Sequence, residues 1–523
     1  MKSKYLGASV SCLPFLAARK GLSTRAAGNR RRRTCLVAGV CVLLAGASGV
    51  RAQDEEMARR LLQSGQKFYQ DRQYKEALDD FSKVLQYPKS PVADDALYEI
   101  ARYQFEVLRD LKAADATADR LLKEYASADM APRAQVLKGR ISLATGLTPD
   151  LVSSAIANFD RVSRLYAGTD AVPEAMYYAG EAARLGGRRE EAITRFADLA
   201  TKYPASPIVP RGLLSSAWSL VQIGQTGRAL ELLQRIRNQF PSSVEAPVAH
   251  AWITILYRLY IRVPATQPAY AFSSSIGTAG GKIRDFRDFG IGSNDHLFVA
   301  TKASLIELGG TGEVIKSTDA PDPRGVFIDR EGRPVTIHED GALRVAGQPP
   351  ISLATAKPDG KLEPVHMDGG VVTSTGTVIV TNHDQKTLVR FSPEGKPEGD
   401  FARDVVARRL AIADLDEVAA LDGDSKSVVV LSRDGKVVTR ITERGTGYQF
   451  RQPTDVAFDR LGHLYVLDRA AVFVFSPQRK LLTTFSIPEK SPGAFTNGEA
   501  LALDSAARLF VFDGRTDSVQ VYR

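Results

Sequence analysis

Histidine and aspartate are the side chains of this 523-residue chain best able to hold a metal or move a proton, and both gather towards its C-terminal half. Five of the six histidines lie there: His296, His338, His366, His383 and His463. One stretch, PTDVAFDRLGHLYVLD (Pro453–Asp468), sets three carboxylates and a histidine beside an apolar run. Metal-assisted lyase or hydrolase chemistry would need imidazoles converging at about 2 Å on one ion. General acid–base work would need two carboxylates in a shared pocket. Neither follows from the spacing. His296 and His463 occupy one position of a repeat, His338 lies one residue out of register with His383, and His366 stands alone. Scattered single histidines are usually surface residues. GTAGGKI, residues 277–283, mimics a phosphate-binding loop but lacks its first glycine and the hydroxyl residue after lysine, so it reads as linker. No cofactor and no metal are expected, and the chain reads as a non-enzyme.

The repeat explains the opening stretch. Aligned on its last ten residues, five other segments fall into register without a gap: GSNDHLFVAT, DREGRPVTIH, TSTGTVIVTN, ADLDEVAALD and DSAARLFVFD. The six copies start 37, 44, 40, 46 and 45 residues apart. Each has a strand before a turn and a strand after it, and most continue into a hairpin of SPEGK or SRDGK type. Six four-stranded units of that length predict a six-bladed β-propeller over 285–523. Blade six ends at SVQVYR without its outermost strand, and AYAFSS (269–274) has the alternation to supply it, which would remove an exposed sheet edge. The motif carried by Pro453, Val456, Ala457, Asp459, Gly462, Tyr465, Val466 and Asp468 resembles the NHL repeat. That resemblance implies that the second-strand ends, Thr301, His338, Asn382, Asp422, Asp468 and Asp513, crowd one rim. There they could take a cation or a basic peptide. The competing role is capping of the turn that follows. Propellers similar to this one include metal-dependent lyases, which keeps a metal-dependent lyase or hydrolase as an alternative reading.

From about 56 to 262 the period is helical. Alanine followed four residues later by a large apolar residue recurs at Ala77/Phe81, Ala155/Phe159, Ala192/Phe196 and Ala229/Leu233. A second small residue lies twelve positions before the alanine in the clear repeats, at Gly65, Gly180 and Ala217, with Ala101 and Gly139 as looser counterparts. Close helix crossing needs that small residue, and the facing aromatic fills the space beside it. Prolines 91, 132, 173, 207 and 247 restart each unit, where a missing N–H does no harm. The pattern resembles the tetratricopeptide repeat, and SPVADDALYEIARY and YPASPIVPRG resemble periplasmic proteins of the Tol–Pal and outer-membrane-assembly type. The expected fold is thus an α-solenoid over 53–262, a linker with a closing strand over 263–284, and the propeller.

Residues 1–52 read as a leader. They hold ten of the 69 basic residues and no acidic one, so the remaining 59 are balanced by all 60 Asp and Glu. Nucleic-acid binding by the exported part therefore has no electrostatic support. Arg30–Arg33 precede a twelve-residue apolar run, Leu36–Ala47, too short to span a bilayer and right for a secretory signal cleaved near Ala47 or Ala52. Cys12, Cys35 and Cys41 all fall in this leader, so no disulfide is expected beyond it.

Without catalytic machinery, binding remains. The resemblance to tetratricopeptide repeats places Tyr69, Tyr98, Arg102, Phe105, Arg140, Tyr177, Glu181, Arg184 and Trp218 along the inner groove. Aromatics and arginines dominate interface hot spots, and three arginines favour an acidic or C-terminal-carboxylate ligand. The expected function is a periplasmic or secreted scaffold that binds protein partners in cell-envelope assembly or maintenance. A small-ligand sensor, for a sugar or peptidoglycan fragment, is the other alternative.

Overall fold

A computed structural model describes residues 38–262, 268–277, 282–356, 360–422, 425–442 and 450–523, with side chains from residue 53 onward. Most of the leader and most of the GTAGGKI segment lie outside the described residues. Helical repeats occupy 53–261 and a six-bladed propeller 272–522. Among the described residues, no helix is long and apolar enough to cross a membrane.

Eleven helices are described: α1 (Ala38–Gln70), α2 (Tyr74–Val84), α3 (Ala93–Glu106), α4 (Leu111–Glu124), α5 (Ala131–Thr145), α6 (Pro149–Leu165), α7 (Ala171–Leu185), α8 (Arg189–Lys202), α9 (Val209–Gln222), α10 (Thr226–Gln239) and α11 (Glu245–Leu256). Odd-numbered helices form the first member of each antiparallel pair. The small-residue rule fixes their crossing. Ala77, Ala155, Ala192 and Ala229 are fully buried, as are Phe81, Phe159 and Leu233. A methyl group at Gly65, Gly139 or Gly180 would stand 2.6, 2.4 or 2.5 Å from the ring of Phe81, Phe159 or Phe196. Each glycine is thus the cavity into which the next helix sets its phenylalanine.

Compactness divides the chain at Ile208/Val209: the second body runs from Val209 to Arg523 and contains α9–α11 together with the propeller. The repeat pattern alone runs on to residue 262 and hides this division. Within the second body the helices are tied to blade hairpins. Gln222 donates to the Leu461 carbonyl (2.7 Å), Gln478 donates to the Val221 and Gln222 carbonyls (2.9 and 2.8 Å), and Arg258 donates to the Ala507 carbonyl (2.8 Å).

The propeller has six four-stranded antiparallel sheets, and the inner strands neighbour one another in cyclic order. The second strands are Leu297–Thr301, Pro334–Ile337, Val378–Asn382, Val418–Asp422, Leu464–Asp468 and Leu509–Asp513, the register the repeat predicts. Closure occurs as expected: Phe272–Ile276 is the fourth strand of blade six, pairing Phe272 with Tyr522 and Ile276 with Val519. The strand starts three residues later than AYAFSS suggests, and Ala271 and Arg523 extend the ladder by exchanging backbone hydrogen bonds at 2.9 Å. Ile276, Phe289, Leu297, Phe510, Phe512 and Val519 then form one core across the seam between blades six and one. A small hairpin, Ala354–Ala356 with Leu362–Pro364, is inserted between blades two and three and was not anticipated.

Substituting Gly180→Ala should cost net about 1–2 kcal/mol, an overpacking penalty of roughly 1–3 kcal/mol offset in part by better helix propensity. The double variant with Phe196→Leu should lose less than the two single losses combined, as read from urea unfolding of the helical repeats.

Candidate functional site

Three places gather side chains able to recognise something: the first helices of the repeats, the propeller rim and the propeller axis.

The first helices α1, α3, α5 and α7 lie side by side in sequence order. Their predicted groove residues form a ladder. The Arg102 guanidinium sits 4.4 Å over the Tyr69 ring and pairs with Glu99 (2.8 Å) and Glu106 (3.8 Å). Arg140 reaches Glu106 from the next helix (3.7 Å) and stands over the rings of Phe105 and Tyr178 at 5.0 and 5.4 Å. Arg184 pairs with Glu181 at 3.1 Å. All three arginines therefore already have carboxylate partners, and the ladder has no surplus positive charge for an acidic ligand. Glu99, Glu106 and Tyr178 were missed, although the Glu99–Arg102–Glu106 spacing is readable as an i,i+3 and i,i+4 ion-pair pattern. Phe105 and Tyr177 are buried, and burial pushes the Tyr98 phenol up to about 12. Trp218 is buried and belongs to the second body, whereas α1, α3, α5 and α7 belong to the first. On α3 the Asp94 and Asp95 carboxylates lie within 4.8 Å of Asp129, and burial with that company raises Asp95 to about 7.

At the rim, every predicted position is occupied by local hydrogen bonds. The Thr301 hydroxyl meets the Ser304 backbone (N–H at 3.1 Å). Asn382 accepts from the Gln385 N–H (3.2 Å) and Asp422 from the Ser425 N–H (3.0 Å). Asp468 accepts from the Arg451 and Gln452 N–H groups (2.7 and 2.5 Å), and Asp513 from that of Asn497 (2.8 Å). His338 is buried against the Thr336 hydroxyl (3.0 Å), and burial holds its imidazole below the usual value.

The histidines depart from their expected surface placement in two cases. His338 is one, and His463 is the other, with no exposed surface at all. The His463 Nδ1 lies 2.7 Å from the Asp459 carboxylate and its Nε2 2.9 Å from the Tyr260 hydroxyl. Both ring nitrogens are satisfied, which permits burial. With Asp459 ionised, Nδ1 carries the proton and Nε2 accepts from tyrosine. Tyr260 belongs to a π-helical turn after α11, Tyr257–Ile261, so the histidine fastens helix to blade five. His296 pairs with Glu307 and His366 with Asp384, both at 2.7 Å. Among the described residues, none of these histidines joins three donors close enough to share an ion.

The axis carries the least expected arrangement. One inner-strand residue per blade faces the residue preceding each rim position: Asp288, Gly325, Gly369, Arg409, Asp455 and Ala500. Arg409 of blade four donates across the ring to Asp288 of blade one, opposite it, at 2.6 Å. Asp288 also accepts from the Val326 N–H (3.1 Å), and Asp455 accepts from the Val456 and Leu501 N–H groups (2.8 and 2.7 Å). The small residues make this possible: a methyl at Gly325 would stand 3.1 Å from the Asp288 carboxylate. Burial works against the Arg409 charge, but the two carboxylates outweigh it and raise its pKa. Burial, reinforced by Asp288, lifts Asp455 to about 7.

The tetratricopeptide-repeat family model matches residues 174–206 and 212–243. Those two stretches are tetratricopeptide repeats. No curated protein matches the chain. Among solved structures, a streptogramin B lyase is 7% identical over 49% of this chain and 97% of its own, with a TM-score of 0.36. A gluconolactonase from Xanthomonas campestris is 15% identical over 48% of this chain and 98% of its own, with a TM-score of 0.34. Virginiamycin B lyase from Staphylococcus aureus is 9% identical over 46% and 81%, with a TM-score of 0.32.

Replacing Arg409 by methionine should cost about 3–5 kcal/mol in propeller stability, because it leaves two buried carboxylates without their cation; urea unfolding would measure it. The raised Asp455 pKa makes the folded state bind its proton more tightly than the unfolded chain. Its stabilising contribution is full below about pH 4 and is lost as pH rises through about 7. Asp455→Asn should therefore flatten the fall in melting temperature between pH 5 and pH 8; an unchanged slope would show that this carboxyl does not titrate there.

Proposed function

We propose that the chain is an exported, non-catalytic scaffold that holds protein partners on the first helices of its repeats and on the propeller, in assembly or maintenance of a cell envelope. The observation that carries this reading is the ladder through Tyr69, Arg102, Glu106, Arg140, Phe105 and Tyr178. Its guanidinium groups are seated on aromatic rings and held by carboxylates, so ordering them costs little when a partner arrives. Rigid arginine and aromatic groups are the types that concentrate binding energy at protein interfaces. The two matched tetratricopeptide repeats support the same reading. So does the charge of the sequence after residue 52, which is close to balanced and favours specific partners over bulk polyanions. Export rests on the Arg30–Arg33 block and the apolar run behind it.

The double charge reversal Arg102→Glu, Arg140→Glu should remove most partner capture in crosslinking and mass spectrometry from the native host. A companion variant, Glu106→Gln, removes the shared carboxylate while leaving both arginines. It should weaken capture less than the reversal. Equal crosslinking by wild type and by a folded double variant would overturn the assignment of partners to this face.

A further inference from the structure

We infer that the outer edge of blade one takes up an extended peptide, which sets a carboxylate opposite Lys316 and a large apolar side chain in the wedge between blades one and two. The inference gives the propeller half of the proposed scaffold a partner chemistry and rests on that reading.

The fourth strand of blade one, Val314–Asp319, pairs with Ser304–Leu308 on one side and with no strand on the other. All of its residues except Thr318 are exposed, among them the apolar Val314 and Ile315. A free edge of that kind is a template for another strand, because its outward N–H and C=O groups lack partners in the sheet. Blade two has only Ile351–Ser352 as its fourth strand, directly after Pro349 and Pro350, so its sheet is narrower than the one it faces. Between the two blades opens a cavity of about 170 Å³. Its lining is mostly apolar and includes Phe298 and Leu305 of blade one and Pro334 and Val345 of blade two.

Glu307 stands opposite Lys316 and Leu305 opposite Thr318 in the strand pair, and all four line the cavity. The edge strand therefore turns one face to the wedge. A strand added along it, about 4.8 Å farther out, would carry every second side chain on that same face. A volume below that of ordinary ligand pockets suits one such side chain better than a free ligand.

Charge sets the neighbouring residue. Glu307 is held by His296 at 2.7 Å, and Arg333 by Asp329 and Glu331 at 2.7 and 3.2 Å. Lys316 is exposed and forms no ion pair among the described residues. A lysine on a free edge discourages casual pairing, because an incoming strand has to cover its charge. A strand with a carboxylate opposite turns the same lysine into an attraction. The bare backbone thus selects an extended chain, the wedge an apolar residue, and Lys316 an acidic one two positions away.

Isothermal titration of the full-length chain with the acetylated, amidated peptide Thr-Glu-Val-Phe-Val-Thr tests the assignment. It should bind with a Kd of roughly 0.1–1 mM. Changing its phenylalanine to alanine should weaken binding about tenfold, and changing its glutamate to lysine about fivefold. Lys316→Glu, an exchange on an exposed side chain, should reverse the preference between the glutamate and lysine peptides. N-methylation of alternate residues should abolish binding in one of the two alternations, since only one of them points its N–H groups at the edge. Arg102→Glu, Arg140→Glu should bind the peptide as wild type does, so this assignment and that of the helical face fail separately. No heat at about 2 mM peptide, an unreversed preference in Lys316→Glu, or undiminished binding by both N-methylated forms would overturn the proposal. So would loss of peptide binding in the Arg102/Arg140 double variant, which would place the peptide on the helices.

Discussion

Six inner strands converge on the propeller axis, and the room they leave there constrains everything built around them. Six full-sized side chains cannot fit, so three of the six ring positions are Gly325, Gly369 and Ala500. The space they release is taken by Arg409 reaching across to Asp288, with Asp455 beside it. An ion pair between opposite blades cannot form until both halves of the ring are in place. A buried pair of this kind adds little net stability over an apolar filling, but losing one partner is costly. It therefore acts as a check on correct assembly more than as a source of stability. The closing strand works from the outside of the ring: Phe272–Ile276 joins blade six to the segment preceding blade one and leaves no unpaired edge at the chain's end.

The same logic explains why α9–α11 belong with the propeller. Their ties run to backbone carbonyls at Leu461 and Ala507, and those carbonyls lie in hairpins whose geometry the blade already fixes. The His463 imidazole adds a polar link between Asp459 and Tyr260 in a place where water is excluded. An unsatisfied nitrogen there would be expensive, so blade and helix must meet in one orientation. The histidine that looked most like a catalytic group is thus a joint.

Much of the architecture was legible because it is periodic. The Gly180/Phe196 pair and its counterparts announce helix crossing by size alone, and the ten-residue repeat gave the second strand of every blade. The closing strand was readable for a negative reason, since blade six lacks a partner within its own repeat. What stayed hidden is non-local. Arg409 and Asp288 lie 121 residues apart, and nothing in either repeat copy marks the arginine as different from a surface residue. The burial of His463 depends on Tyr260, which belongs to the other repeat system. The hairpin at 354–364 has no periodic counterpart. On the repeat helices the aromatic and arginine positions could be placed, but the pairing of Arg102 with Glu99 and Glu106 changes what they mean.

Under the proposed scaffold role, that pairing decides what sort of partner the repeats can accept. A groove with free arginines would attract any polyanion and would lose it again as salt rose. A ladder in which Glu106 is shared between Arg102 and Arg140 offers no such field. A ligand carboxylate has to compete with a carboxylate already present, and it succeeds only if its shape also covers the half-buried rings of Tyr69 and Tyr178. Recognition then requires charge and apolar contact together, which rejects ligands that supply one alone. The near-balanced charge of the sequence after residue 52 extends this to the whole surface: selectivity on it must come from arrangement, since bulk attraction contributes almost nothing.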